Sequence, residues 1–225
     1  MTNIPVVIEV LTSKERPAPE AVLSLAKAVA ERLGPGVSVA RADADTARPA
    51  RALRVNGRAL PDPDAAPEQL PGSGADVPPE WLLEAAVLRE LGPKGLLFLC
   101  VANSARSQIG EGVARLLAPA DVRIQSAGSH PTGLRPEAAR VLSELGIDPA
   151  AHWSKNVSEI DPETVDTVIT LCGEEECPLF LGQARRLHWG LPDPAAIQGN
   201  EETRLDAFRQ TRDELRRRIG VVFGG

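Results

Sequence analysis

The stretch Leu97-Phe98-Leu99-Cys100-Val101-Ala102-Asn103-Ser104-Ala105-Arg106-Ser107-Gln108-Ile109-Gly110-Glu111-Gly112 decides the fold. Residues 96–101 form an apolar run of strand length, and residues 106–118 place Ile109, Val113, Leu116 and Leu117 at helical spacing. Between strand and helix stands a cysteine, then five residues, then an arginine and a serine. A loop of that size curls the backbone so that the N–H groups of Val101, Ala102, Asn103, Ser104, Ala105, Arg106 and Ser107 converge on one point. The positive end of the following helix adds to their field, and such a cradle is expected to bind a tetrahedral oxyanion. The Arg106 guanidinium would grip two of its oxygens. Cys100 would lie at the floor, where the same field favours the nucleophilic thiolate. Ser104 and Ser107 are placed to hydrogen-bond to that sulfur, and Asn103 to pin the loop.

Working outward, strands and helices alternate downstream. Strand patterns are expected at 96–101, 122–126, 164–171 and 185–189, and helices at 106–118, 136–145 and 201–223. That order predicts an α/β domain over residues 94–225, with a four-stranded, mostly parallel sheet covered on both faces. Upstream, residues 6–11 and 37–42 read as strands and residues 19–33 as a helix ending before Gly34. Residues 52–60 read as a hairpin turning at Asn56-Gly57, residues 61–79 as a loop, and residues 79–91 as a helix stopped by Gly92-Pro93. Residues 1–93 are therefore expected to be a separate small β-α-β-hairpin domain with a linker.

Composition removes several function classes. The 225-residue chain carries a net charge of −6, against the basic surface that nucleic acid favours. Tyr is absent and Trp81 is the first aromatic residue, so no base-stacking platform is expected in the first domain. No apolar run approaches the roughly 20 residues of a membrane span. The first residues lack a basic region followed by a sustained apolar stretch, so no secretory signal is expected and a cytoplasmic location is. The three cysteines, Cys100, Cys172 and Cys177, argue against a structural disulfide framework. A four-residue gap between Cys172 and Cys177, without a second pair or a nearby histidine, is poor for zinc, and neither metal nor cofactor is expected.

The segment around Cys100, together with Ser126-Ala127-Gly128, Pro136-Glu137-Ala138, Glu144-Leu145-Gly146-Ile147 and Ser154-Lys155, resembles the low-molecular-weight phosphotyrosine phosphatase superfamily. Within it, the chain is most similar to the thioredoxin-coupled arsenate reductases, over about residues 95–223. Thr170-Leu171-Cys172-Gly173-Glu174-Glu175-Glu176-Cys177-Pro178 resembles their redox segment, though with fewer residues between its two cysteines. The resemblance implies an enzyme of arsenic detoxification that reduces arsenate to arsenite. Cys100 would be the nucleophile, Cys172 the resolving residue and Cys177 the exit residue of a disulfide relay. Phosphate or sulfate would mimic the substrate, and thioredoxin or another external dithiol protein would regenerate the thiols. Disulfide geometry adds a demand. Cysteines five apart on an α-helix have Cα atoms about 8.6 Å apart, beyond the roughly 4.4–6.8 Å a disulfide spans. Closure of Cys172–Cys177 would therefore require any helix there to unwind.

Leu191-Pro192-Asp193-Pro194-Ala195 follows His188-Trp189-Gly190, as in the arsenate reductases, and implies Asp193 as the general acid that protonates a leaving oxygen. Asp-Pro is also a routine turn dipeptide. Phosphotyrosine phosphatases of the superfamily place a tyrosine after this dipeptide, where Ala195 stands here, which argues against a phosphotyrosine substrate. His188 reads as structural. Some arsenate reductases hold a potassium ion with an asparagine, a glutamate and an aspartate. Asn103 and Glu111 match, but Lys155 takes the aspartate's place, so no potassium is expected. Residues 5–62 loosely resemble a thioredoxin-like domain, yet Leu11-Thr-Ser-Lys-Glu-Arg-Pro17 stands where its cysteine pair would be. Two further readings stay open: a phosphatase using Cys100 and Asp193, and an oxyanion or redox sensor.

Overall fold

In a computed structural model, the structure describes residues 5–12, 20–43, 53–61, 77–173 and 178–224. The chain divides into two compact units, residues 1–92 and 93–225.

The first unit contains β1 (Val6–Thr12), α1 (Glu20–Leu33), β2 (Val37–Asp43), β3 (Leu53–Val55), β4 (Arg58–Ala59) and α2 (Glu80–Leu91). Its sheet has the order β2-β1-β3-β4, with β2 parallel to β1 and both β3 and β4 added antiparallel. The helix α1 buries Val22, Ala26, Val29 and Leu33, a single stripe at helical spacing. The hairpin β3–β4 turns at Asn56 and Gly57, whose φ values are +46° and +76°. Positive φ at both central residues gives the two-residue turn whose twist matches that of its strands. Asn56 Oδ1 also accepts from the Val7 N–H at 2.8 Å, tying the turn to β1.

The second unit contains β5 (Gly95–Cys100), α3 (Arg106–Leu117), β6 (Arg123–Gly128), α4 (Pro136–Ser143), β7 (Thr167–Thr170), β8 (Arg185–His188) and α5 (Glu201–Phe223). The sheet order is β6-β5-β7-β8 and every pairing is parallel. All residues of the central strand β5 are buried, which is why it reads as an unbroken apolar run. Alternation divides its side chains between two layers. Phe98 meets α3 at Gly110, where an added Cβ would lie 3.0 Å from the ring. Leu97 and Leu99 join Ala127, Ile160, Val165, Val168 and Phe180 on the other side.

That second layer differs from a helix-covered sheet. It is built partly from 3₁₀ turns at Val157–Glu159 and Pro162–Thr164, opened by Asn156 and Asp161, whose side chains cap them. Elements also shift at their ends. The strand expected at 122–126 runs to Gly128 because β6 pairs with β5 as far as Cys100. The helix expected to reach residue 145 stops at Ser143, and the chain then turns through Gly146 at φ +74°. Among the described residues, no helix is long and apolar enough to cross a membrane.

Candidate active site

The site lies at the carboxyl ends of β5 and β7, where parallel sheets of this kind gather their loops. Residues 101–105 leave the end of β5 and enter α3. Their carbonyls are all turned away from a common centre. Val101 O accepts from His130 N at 2.9 Å, Ala102 O from Thr132 N at 3.1 Å and Ser104 O from Arg135 N at 3.0 Å. Asn103 O accepts from the Ser154 hydroxyl at 2.6 Å and from Gln108 Nε2 at 3.3 Å. In a trans peptide the C=O and the next N–H point in opposite directions. Outward carbonyls at 101–104 therefore aim the N–H groups of residues 102–105 inward. Arg106 and Ser107 open α3 directly after this run. The residues expected to cradle an oxyanion thus form one concave turn.

Two features hold this turn. Asn103 adopts φ +44°, a left-handed conformation that asparagine tolerates better than most residues. Gly128, at the end of β6, passes so close beneath the loop that an added Cβ would lie 2.4 Å from Val101 O and 2.8 Å from Asn103 N. The Ser126-Ala127-Gly128 run therefore allows the backbone of β6 to support the loop directly.

Cys100 is a buried free thiol, and its Sγ lies 2.9 Å from Ser107 Oγ. The direction of that bond follows from its neighbours. Asn103 Nδ2 donates to Ser107 Oγ at 2.8 Å and to Ser126 Oγ at 2.9 Å. Since Ser107 Oγ accepts there, its own proton is available to the sulfur. Ser126 in turn donates to Glu111 Oε2. Glu111 is buried, and Arg115 at 2.5 Å and Lys155 at 3.3 Å balance its charge. Of the two serines expected near sulfur, Ser107 makes this contact, while Ser104 contributes the carbonyl bonded to Arg135.

Arg106 is buried, and Nη1 donates to Leu191 O at 3.0 Å and Leu171 O at 3.5 Å. Its Nη2 lies 3.7 Å from Asp193 Oδ1, and Asp193 is partly open to solvent. Asp193 also caps the turn Pro194–Ala196, accepting from Ala195 N at 3.2 Å. The Asp-Pro dipeptide therefore forms the turn expected of it, and that turn brings the carboxylate to Arg106.

Cys172 is also buried. Leu171 N donates to Leu99 O, and Leu99 pairs with Thr170, so Cys172 stands one residue beyond the position opposite Cys100. Cys177 lies outside the described residues, as does most of the 172–177 segment whose helical state was considered above. His188 Nδ1 pairs with Thr170 Oγ1 at 2.8 Å across β7 and β8.

The supporting residues were less legible in sequence. Gln108 Nε2 donates to Asn103 Oδ1 at 3.0 Å and to Trp153 O at 2.8 Å, leaving Oε1 to accept from His152 Nδ1 at 3.0 Å. His152 is buried, and desolvation, the largest influence, pushes its pKa below the usual imidazole value. Arg115 and Lys155 act the same way, while Glu111 and Asp148 oppose them. Lys155 N donates to Asn103 Oδ1 at 2.7 Å. Its Nζ donates to Glu111 Oε2 and to Trp153 O at 3.1 Å, and it sits 4.4 Å from the centroid of the Trp153 ring. A potassium ion sharing Glu111 would lie against this ammonium, so the residues present do not fit that ion. Among the described residues, no cluster of three or more His, Cys, Asp or Glu side chains is arranged to hold a metal.

Comparison with known proteins agrees with this geometry. The chain is 38% identical over 128 residues to an arsenate reductase of Bacillus subtilis, covering 56% of this chain and 92% of that protein. An arsenate reductase of Halalkalibacterium halodurans is 35% identical over 131 residues, covering 57% and 94% respectively. A solved structure described as an arsenate reductase in oxidized state superposes with a TM-score of 0.50 at 28% identity, covering 58% of this chain and 96% of that one. The sequence model of the family described as low molecular weight phosphotyrosine protein phosphatase matches residues 95–223, more than half of the chain, and the chain belongs to that family.

Proposed function

We propose that this protein reduces arsenate to arsenite by a cysteine relay. One observation carries the reading: a buried thiol, Cys100, stands beneath a ring of inward N–H groups with a hydroxyl donor at 2.9 Å, and a second buried cysteine, Cys172, lies two residues past the end of the neighbouring strand. The ring and Arg106 hold the oxyanion. The Cys100 thiolate attacks arsenic, a sulfur–arsenic bond forms, and an oxygen leaves as water after taking a proton from Asp193. The Cys172 thiolate then attacks Cys100 Sγ. A disulfide forms, the sulfur–arsenic bond breaks, and its electron pair stays on arsenic, which falls from As(V) to As(III) and departs as arsenite. Cys177 attacks Cys172, releasing Cys100, and an external dithiol protein such as thioredoxin reduces the resulting Cys172–Cys177 bond. The relatives named above, called arsenate reductases, support this reaction over other uses of the cradle.

The first unit has strand order 2-1-3-4 with one parallel and two antiparallel pairings, which supports a thioredoxin-like reading. Residues 1–92 contain no cysteine, so the unit cannot exchange disulfides and the electrons come from another protein. We assign it a docking or stabilising role.

The deciding assay is arsenate-dependent NADPH oxidation with thioredoxin and its reductase. Wild type should turn over repeatedly. Cys100→Ser should be silent, and Cys172→Ser and Cys177→Ser should lose multiple turnover. Full multiple turnover by Cys172→Ser on a phosphoester, with none on arsenate, would instead support a phosphatase using Cys100 and Asp193.

A further inference from the structure

We propose that the Lys155 ammonium is a tethered counter-cation for Glu111, and that through Glu111 it positions the hydrogen-bond chain ending at Cys100 without any monovalent metal ion. The inference rests on the reading of Cys100 as the nucleophile and adds a positioning residue to the same site.

The chain of bonds runs in one direction. Lys155 Nζ lies 3.3 Å from Glu111 Oε2, and the same oxygen accepts from Ser126. Ser126 accepts from Asn103, Asn103 donates to Ser107, and Ser107 meets the sulfur. Glu111 decides the direction of this chain because an ionised carboxylate only accepts. It forces the Ser126 proton toward itself, which leaves Ser126 Oγ to accept from Asn103 and fixes the side-chain amide in the orientation that serves Ser107. An ionised Glu111 in a buried place needs cations: Arg115, itself partly exposed, meets Oε1, and the more buried Lys155 meets Oε2, the oxygen that orders the chain.

Lys155 holds both ends of the device. Its N–H donates to Asn103 Oδ1 at 2.7 Å, and its carbonyl accepts from Gly128 N at 3.0 Å, so its backbone is fixed against the loop and β6. Its side chain is 12% exposed. The ammonium meets a carboxylate oxygen, the Trp153 carbonyl at 3.1 Å and the face of the Trp153 ring. Those are the contacts a bound alkali cation would seek, and here a covalently attached charge takes them.

The test uses two readouts that need no arsenate: the alkylation rate of Cys100 by iodoacetamide in a Cys172→Ser/Cys177→Ser background, and the Tm. Without a Lys155 substitution, both should be the same in potassium, sodium and tetramethylammonium chloride at matched ionic strength. Lys155→Ala should alkylate about tenfold more slowly. Potassium or methylammonium, but not tetramethylammonium, should restore the rate several-fold and raise the Tm of that variant. If Lys155→Ala fails to fold, Lys155→Gln, which keeps a donor without the charge, replaces it in the same comparison. Potassium-specific stabilisation with Lys155 present would overturn the proposal. So would a Lys155 variant that reacts at the parental rate, or one whose slower rate no small cation restores. Failure of arsenate turnover alone would sink the proposed function and leave these readouts intact.

Discussion

Asn103 carries more of the site than its single position in the loop suggests. It adopts a left-handed φ, donates to Ser107 and Ser126, and accepts on both oxygens from Gln108, Ser154 and Lys155. Two substitutions separate conformation from bonding. Asn103→Gly keeps φ +44° accessible but removes the donor to two buried hydroxyls and the side-chain acceptor of the Lys155 N–H, at a cost of about 2–3 kcal/mol. Asn103→Ala adds backbone strain of about 1 kcal/mol or more. Urea unfolding should therefore order the proteins wild type, Gly, Ala, and equal stability of all three would refute the hub role. Ser107→Ala should be milder for stability and sharper for chemistry, lowering kcat/KM for arsenate about 10- to 100-fold through loss of the donor to sulfur. At this scale Cys100, Arg106 and Ser107 were legible because a fixed spacing between strand and helix dictates their meeting. The partners of Gln108 and His152 were not, because nothing local marks a polar residue whose partners lie on other elements.

Among the elements, β6 and the segment after α4 meet at Gly128 and brace the loop together. At the end of β6, Gly128→Ala would drive a methyl into the Val101 carbonyl and the Asn103 amide, both backbone groups that cannot rotate away. The loop must shift, so arsenate turnover should be lost along with about 1–3 kcal/mol of stability. A Gly128→Ala protein with wild-type turnover would show that the cradle tolerates displacement. In the segment after α4, the buried His152 bonds through Nδ1 to Gln108 Oε1 of α3. Its folded pKa is depressed, chiefly by desolvation. An unfolded chain therefore takes up a proton near pH 6.5 that the native chain refuses, and stability falls as pH drops below that value. Urea midpoints from pH 7.5 down to 5.5 should decline more steeply for wild type than for His152→Gln, and parallel declines would remove His152 as the cause. The parallel order of the second sheet was readable from alternating strand and helix patterns. The 3₁₀ layer over Leu97 and Leu99 was not, since three-residue turns leave no periodicity and announce themselves only through caps such as Asn156 and Asp161.

For the molecule as a whole, every described contact that builds the site lies within residues 93–225, from Cys100 to Asp193. Chemistry and partner recognition should therefore separate on truncation. A fragment of residues 93–225, once circular dichroism and a cooperative thermal transition establish its fold, should reduce arsenate in a single turnover at the full-length rate. In the proposed relay that step uses only Cys100 and Cys172 and needs no external protein. Multiple turnover is a different demand, because thioredoxin must reach the Cys172–Cys177 bond. If the first unit docks the reductant, the fragment should show a raised KM for thioredoxin with an unchanged kcat when that protein saturates. Equal KM values in fragment and full chain would eliminate docking while leaving a stabilising contribution, which the difference in Tm measures directly. A slower single turnover, by contrast, would mean that residues 1–92 act on the cradle itself.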